Sequence, residues 1–334
     1  MFVSVVLPCY NGASTLGVML DSLVRQTYAG EWELIFVNNG STDNSVEIAE
    51  SYRSRLQTLR VLQAYSGRGP RGNVGHSYTV GFRAARGEQI LVCESDDELD
   101  AHWLEEMVRA LEIAQFAVPA LEYEKLNPPS LTWGKDKGKQ SRTEGLPSHA
   151  APLYLPFAVC NAIGMTRQCY ESVGDPTDWI GPPWDVDYSW RVQLAGMQLT
   201  FVPEALVHYR LRHKARDRWN QAKNWGKGQF YLQLRYGMPA WPKFTFYALR
   251  RVAETSLRLA IGVAVLGYSL AYGVWDLGFA WGELQTVPDL IKAQLKGIQP
   301  DAEVLAGNRP SGPQTYAEIP PLDDEAQDQS AREA

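Results

Sequence analysis

The chain opens as short apolar runs separated by segments with helical spacing. Val3 to Leu7 is a β-branched run that ends at Pro8. Ser14 is placed to cap a helix reaching about Gln26, with Leu16, Met19, Leu20 and Leu23 on one face. Glu33 to Val37 forms a second strand, stopped by the turn-forming Asn38-Asn39-Gly40-Ser41. Thr42 and Asp43 start a helix to about Arg53, and Leu59 to Ala64 is a third strand. A glycine-rich loop over 66–72 precedes a helix over about 73–85. Glu88 to Cys93 is a fourth strand, followed by Glu94-Ser95-Asp96-Asp97-Glu98 and a helix over about 101–114.

This alternation predicts βαβ units and an α/β fold with a central, mostly parallel sheet flanked by helices. Open parallel sheets bind ligands outside the carboxyl ends of their strands. Three such ends carry polar or glycine-bearing sequence: Pro8-Cys9-Tyr10-Asn11, Asn38-Asn39-Gly40-Ser41 and Glu94-Ser95-Asp96-Asp97. Three loops are therefore expected to converge on one edge.

Beyond residue 114 the pattern weakens. Residues 127–150 mix Pro, Gly, Lys and Ser and read as a long mobile loop, either a lid or acceptor contact or a solvated excursion. Order returns around Pro156 to Arg167. A helix then carries Asp185-Val186-Asp187-Tyr188-Ser189-Trp190-Arg191 and ends near Gly196. Thr200 to Val202 and Ala205 to Tyr209 read as two more strands. Residues 244–258 are helical and basic, and Leu259 to Trp275 has no charged residue. That run is slightly short for a membrane span, and Asp276 closes it. It suits a helix lying in a membrane interface behind its arginines, or a buried helical hairpin. From about Gln299 the chain is acidic and Pro-rich, and a disordered tail is expected. The expected units are 1–215, a helical C-terminal extension over 216–298, and the tail over 299–334.

Charge and cysteine usage narrow the class. A net charge of -6 and a pI near 5.5 argue against a general nucleic-acid binder. None of Cys9, Cys93, Cys160 and Cys169 sits at CxxC spacing, so reduced core cysteines are expected rather than a zinc site. The first residues lack a basic stretch followed by an apolar one, so a cytoplasmic location is the default, with a peripheral position on the cytoplasmic face of a membrane as its variant.

Four features carry candidate chemistry. Glu94, Asp96 and Asp97 are hard oxygen ligands at a strand end, suited to Mg²⁺ or Mn²⁺ that also holds a diphosphate. The competing reading is a solvated turn or a helix cap. Asp185 stands at a helix start, where a carboxylate either caps or acts as general base, and Asp187 is spaced for an i,i+4 pair with Arg191. Gly67-Arg68-Gly69-Pro70-Arg71-Gly72 matches GxGxxG but follows the third strand rather than the first, so it suits a phosphate-contacting loop better than a dinucleotide fingerprint. His208, near a strand end, is either a structural histidine, the commoner case, or a residue that completes a metal site.

Taken in order, these segments resemble the family 2 glycosyltransferases of GT-A fold. Val5-Val6-Leu7-Pro8-Cys9-Tyr10-Asn11-Gly12 is similar to that family's first strand and loop, and Phe36 to Asp43 to its second. Asn73-Val74-Gly75 with Ala84 to Glu88 resembles the helix leading to the metal-binding strand. Glu94-Ser95-Asp96-Asp97 sits at the DxD position, and Asp185 to Gly196 resembles the helix bearing the catalytic base. The resemblance spans about 2–212. It implies an inverting transfer from a nucleoside-diphosphate sugar to a hydroxyl acceptor; the membrane-leaning run over 259–275 separately suggests a glycan or lipid-linked acceptor, with a membrane surface as a further partner. The resemblance implies Asp96 as metal ligand with Glu94 or Asp97 assisting, and Asp185 as base. Pro8, Tyr10, Asn11, Asn39, Arg71, Asn73, Ser95 and Asp96 would contact the nucleotide-sugar. Four positions depart from the pattern: Glu94 replaces an aspartate, Asn39 stands where an aspartate is common, Trp184 replaces an acidic residue, and Gly72 an arginine. These departures keep open a non-catalytic binding protein. A nucleotidyltransferase is the other alternative, although the loop after the first strand carries no lysine or arginine.

Overall fold

A computed structural model describes residues 1–64, 74–132, 140–148, 150–159, 162–177, 181–237, 239–265, 270–297 and 317–318. The first half builds β1 (Val3–Cys9), α1 (Leu16–Val24), β2 (Trp32–Asn38), α2 (Ser45–Ser51), β3 (Leu59–Gln63), α3 (Val74–Ala84), β4 (Gln89–Val92), β5 (Glu98–Leu99) and α4 (Trp103–Leu111). Next come β6 (Phe116–Glu122), α5 (Pro129–Thr132), β7 (Gly164–Thr166), α6 (Arg167–Val173), α7 (Trp184–Leu194) and β8 (Leu199–His208). The C-terminal part is helical: α8 (Ala215–Tyr236), α9 (Trp241–Val265), α10 (Leu270–Gln285) and α11 (Val287–Leu295), followed by β9 (Ala317–Glu318).

The strands form one sheet in the order β5-β8-β6-β7-β4-β1-β2-β3-β9. Strands β3, β2, β1 and β4 run parallel, as do β6 and β8. The sheet is covered on both faces, which explains why β1 and β2 are uninterrupted buried runs rather than alternating ones. Val3, Val5 and Leu7 face a core built with α1 and α4. Val6 faces the other core, where Tyr78, Phe82, Trp184 and Tyr188 from α3 and α7 meet. The resulting architecture is a sheet flanked by helices with a helical C-terminal extension, as the sequence pattern predicts.

Two sequence expectations need correction. The strands expected at 200–202 and 205–209 are one strand, β8, whose pairing with β6 shifts register between Pro119 and Ala120. Pro203 and Glu204 fall in that irregularity, which is why the pattern reads as broken. The apolar run 259–275 is likewise not one element, because its described residues divide between α9 and α10. Among the described residues no helix is long and apolar enough to cross a membrane.

Helices α8 and α10 pack so closely that glycine is required at the crossing. A Cβ at Gly226 would lie 2.1 Å from the Phe279 carbonyl oxygen, and one at Gly282 would lie 2.1 Å from that of Lys223. The described ends of the 127–150 segment are anchored rather than free. Gln140 is buried; its amide donates to the Pro119 carbonyl at 2.8 Å, and its Oε1 accepts from the Val159 N–H at 2.7 Å. The tail lies outside the described residues except for β9, which pairs antiparallel with β3.

Candidate active site

Parallel pairing of β3, β2, β1 and β4 brings their carboxyl ends to one edge. There the β1–α1 and β2–α2 loops are tied together. The Asn11 N–H donates to Ser41 Oγ at 3.0 Å, and Asn11 Oδ1 accepts from the Thr42 N–H at 2.8 Å. The Gly12 N–H donates to Ser45 Oγ at 2.9 Å and the Ala13 N–H to Asp43 Oδ2 at 3.0 Å. Asn11 adopts φ 51°, a left-handed conformation that asparagine tolerates better than most residues. Gly12 lies against the end of β4: a Cβ there would meet Cys9 Sγ at 2.7 Å and Ser95 Oγ at 3.2 Å. These bonds leave Tyr10 exposed at the loop tip, while Pro8 is buried within β1 and Asn39 is buried with its N–H on the Cys9 carbonyl.

The acidic stretch after β4 splits by environment. Glu94 and Asp96 are partly exposed, and Asp97 is buried. Glu94 Oε1 accepts from the Tyr78 hydroxyl of α3 at 2.8 Å. Asp96 forms an ion pair with Arg212 at 2.9 Å. Asp97 Oδ1 accepts from the Arg210 N–H at 2.8 Å. Burial, and then the neighbouring charge of Asp96, push the Asp97 carboxyl well above the usual carboxylate range. Arg210 also donates through Nε to the Asp96 carbonyl at 2.7 Å. The segment following β8 thus supplies positive charge to the cluster, and sequence reasoning missed both arginines. Their signal was present, since Arg210-Leu211-Arg212 directly follows a strand that leads to the same edge.

His208 does not join that cluster. Its Nδ1 lies 2.7 Å from Glu122 Oε2, across the β6–β8 pairing in which the two residues are register partners. Among the described residues, no three His, Cys, Asp or Glu side chains group as a metal-holding set. The expected four-residue set of Glu94, Asp96, Asp97 and His208 is therefore not assembled, because Glu122 takes up His208. Arg71 and Asn73, with the glycine-rich loop, lie outside the described residues, as does Cys160. The other three cysteines are free and buried.

Helix α7 enters the edge from the opposite core. Trp184, its first residue, packs on Tyr78 with ring centroids 4.4 Å apart, so Tyr78 links α7 to Glu94. Asp185 is buried, and its Oδ1 accepts from the Val186 N–H at 2.8 Å. Burial, with a further contribution from the Glu94 charge, pushes its pKa up to about 8. No ion pair among the described residues involves Asp185. Asp187 has the contrary environment. It accepts from the Tyr236 hydroxyl at 2.7 Å, from Thr177 Oγ1 at 3.2 Å and from Arg235 of α8, whose ion pair measures 2.9 Å. The expected i,i+4 partner Arg191 stands farther away, at 3.8 Å. Helix α8 also presses on the start of α7, where a Cβ at Gly228 would lie 2.3 Å from Pro183 Cδ. An open groove of about 590 Å³, lined by Gly145, Leu146, Gln193, Met197 and Phe201, adjoins the other end of α7 and contains none of these carboxylates.

Residues 4–174, just over half of the chain, match the model of glycosyl transferase family 2. Among curated relatives, the uncharacterized glycosyltransferase EpsJ of Bacillus subtilis is 30% identical over 151 residues, covering 43% of this chain and 42% of EpsJ. The glycosyltransferase GlyG of Streptococcus pneumoniae is 31% identical over 110 residues, covering 33% of this chain and 35% of GlyG. The matched segments thus span less than half the length of either relative. Two solved structures share the fold. The mannosyltransferase PcManGT of Pyrobaculum calidifontis, in complex with GDP-Man and Mn²⁺, superposes with a TM-score of 0.53 at 16% identity, covering 91% of this chain and 78% of that one. TarS 1–349 of S. aureus, in complex with UDP, gives 0.51 at 16% identity, covering 89% and 92%.

Proposed function

The chain belongs to glycosyl transferase family 2, and from that premise we propose that it transfers a sugar, with inversion, from a nucleoside-diphosphate sugar to a hydroxyl acceptor. The observation that carries this reading is Asp185, a buried carboxyl at the start of α7 whose pKa of about 8 suits proton abstraction near neutral pH. In the proposed step the acceptor O–H gives its proton to Asp185. The acceptor oxygen forms a bond to the anomeric carbon from the face opposite the diphosphate. The bond between that carbon and the phosphate oxygen breaks, and its electron pair leaves with the nucleoside diphosphate.

On the donor side, Tyr10 is the exposed aromatic of the tied loop pair and offers a face to a nucleobase. Asn11, Asn39 and Ser95 border the same edge. The transferase unit is taken as 1–215, with 216–298 supporting it.

A divalent cation fits the strand-end carboxylates in a limited form. Asp97 is buried and turned to the Arg210 N–H, which leaves the partly exposed Asp96 and Glu94 as the oxygen donors. One or two carboxylates completed by diphosphate oxygens is an arrangement that suits Mg²⁺ or Mn²⁺. When bound there, such an ion would neutralise charge on the leaving diphosphate. Arg212, paired with Asp96, is within the same charge cluster and would share that task. The GDP-Man and Mn²⁺ bound by PcManGT and the UDP bound by TarS support a donor of this class. A glycan or lipid-linked acceptor, reached from a peripheral position on the cytoplasmic face of a membrane, completes the reading.

Nucleoside-diphosphate sugars should raise the unfolding midpoint with concentration in the presence of Mn²⁺ or Mg²⁺. Asp96→Ala should remove the metal dependence of that shift and lower transfer by about 10²-fold. No shift with any donor, with or without metal, would sink the proposal and favour a non-catalytic protein.

A further inference from the structure

Helix α9 is apolar on two opposite sides. One side, with Phe244 and Ala248, is buried against Phe230, Val287 and Leu290. A single helix in a small helical layer needs only one such face, and its other side is ordinarily polar. Here the outer side carries Phe246, Leu249, Ala253 and Leu257, spaced three and four residues apart so that they form one stripe over 246–257 of the 25-residue helix. Phe246 is 62% exposed, Leu249 53%, Leu257 60% and Ile261 48%. Trp241 and Tyr247 are exposed at the start of the same helix.

The charges beside this stripe are mostly positive. Lys243, Arg250, Arg251 and Arg258 lie on α9 against one acid, Glu254. Arg250 pairs with Glu254, and Arg251 reaches Glu283 of α10, which leaves Lys243 and Arg258 without an ion-pair partner among the described residues. The excess is regional. Residues 210–258 hold twelve Lys and Arg against two acids, in a chain whose net charge is -6.

We propose that this face of α9 docks the protein on an anionic lipid surface, with Phe246, Leu249 and Leu257 entering the headgroup boundary and Lys243, Arg250 and Arg258 meeting lipid phosphates. An apolar stripe bordered by basic residues is the pattern of a helix lying in the membrane plane, and its binding combines apolar burial with attraction to anionic headgroups. Charge complementarity selects this occupant over a second copy of the chain. Two such faces brought together would set Arg250 and Arg258 of each copy against a surface of their own sign. The inference deepens the peripheral attachment named above. Its test involves no sugar transfer, so its failure would leave the transferase reading intact, and failure of transfer would leave this one intact.

The test is co-sedimentation of the full chain with phosphatidylcholine vesicles, alone or containing phosphatidylglycerol at roughly one part in three. The chain should sediment with the anionic vesicles only, and less so as salt is raised. The double substitution Leu249→Glu with Leu257→Glu should lower the bound fraction at least ~10-fold. Arg250→Ala with Arg258→Ala should lower it by about 3-fold. All four side chains are exposed, so circular dichroism and the unfolding midpoint should match the parent. Equal binding of the Leu249→Glu, Leu257→Glu variant and the parent overturns the proposal. So does a parent chain that ignores anionic vesicles, whether its stripe is covered by the acidic 299–334 segment or by a second copy. Light scattering identifies the latter as a dimer that the same substitutions dissolve.

Discussion

The carboxylates after β4 and those at the start of α7 both neighbour arginines, but the two regions use them differently. After β4, Glu94 and Asp96 are partly open, and the arginines that meet the cluster come from the segment after β8; Arg212 is itself exposed. Such a pair is readily exchanged for another cation or for a phosphate. At α7 the acids are buried. Arg235 is almost fully buried with Asp187, and Asp185 two residues earlier has no ion-pair partner among the described residues. The lesson is that acidity at a site edge does not assign a role. The supply of partners guides the proposed roles: the exchangeable pair would serve ligand binding, the saturated one holds architecture, and buried Asp185 would take the proton.

The comparison breaks most sharply at Asp185. Asp185→Asn should lower transfer on the order of 10³-fold, within the range of a lost general base. In the parent protein, transfer should rise with pH through about 8 as Asp185 ionises, and this limb should vanish in the variant. Stability should move the other way. The folded state holds this proton to pH about 8, whereas the unfolded chain releases it near 3.8. Between those values the folded state binds more protons, so the contribution of Asp185 to stability falls as pH rises. Asp185→Asn should therefore unfold at a higher temperature than the parent at pH 8 to 9, with the advantage shrinking toward pH 4. A variant that retained full transfer would refute the base assignment.

Asp187→Asn should do the reverse. It leaves Arg235 buried without its counter-charge, which costs about 3 kcal/mol or more. For a protein of this size that lowers the unfolding midpoint by about 4 °C. Enzyme that remains folded should keep its pH profile. If Asp187→Asn instead abolished the limb near pH 8 at unchanged stability, the two aspartates would have to exchange roles.

Gly228→Val tests whether α8 holds the start of α7 in place. The added side chain must displace Pro183, two residues before Asp185, at a cost of about 1–3 kcal/mol. Transfer should fall by more than the stability loss explains, and donor-induced stabilisation should persist. Loss of donor binding instead would tie Gly228 to the strand-end half of the site.

Much of this was legible before any coordinates. Strands β1 and β2 are continuous buried runs because both faces of the sheet are covered, and parallel strands put their carboxyl ends on one edge. That was enough to gather Tyr10, Asn11, Asn39, Ser95 and Asp96. Strand β6 escaped notice because Phe116 to Glu122 is interrupted by Pro119 and contains two alanines. What the sequence hid was partnership. Asp187 and Arg191 are four residues apart and looked like a pair, yet the closer cation is Arg235, 48 residues on. The short-range pattern of a helix predicts its own ladder of contacts and says nothing of the helix laid across it. Nor did the sequence pattern single out Gly226 and Gly282, which let α8 and α10 touch.

The smallest expected effect falls on His208, and it sharpens the comparison from the strand-end side. Sequence order places His208 just before the two arginines that reach the acidic cluster, so a ligand role was a reasonable expectation. Its Nδ1 is instead 2.7 Å from Glu122, an acid on the neighbouring strand that meets it in register. A partly buried pair of this kind contributes about 1 kcal/mol. His208→Gln should accordingly lower the unfolding midpoint by about 1–2 °C and leave the metal response of donor binding unchanged. Asp96→Ala, by contrast, should abolish that metal response. A His208→Gln variant with intact stability but weakened Mn²⁺ dependence would return His208 to the metal set and require the Glu122 pair to open when the donor binds.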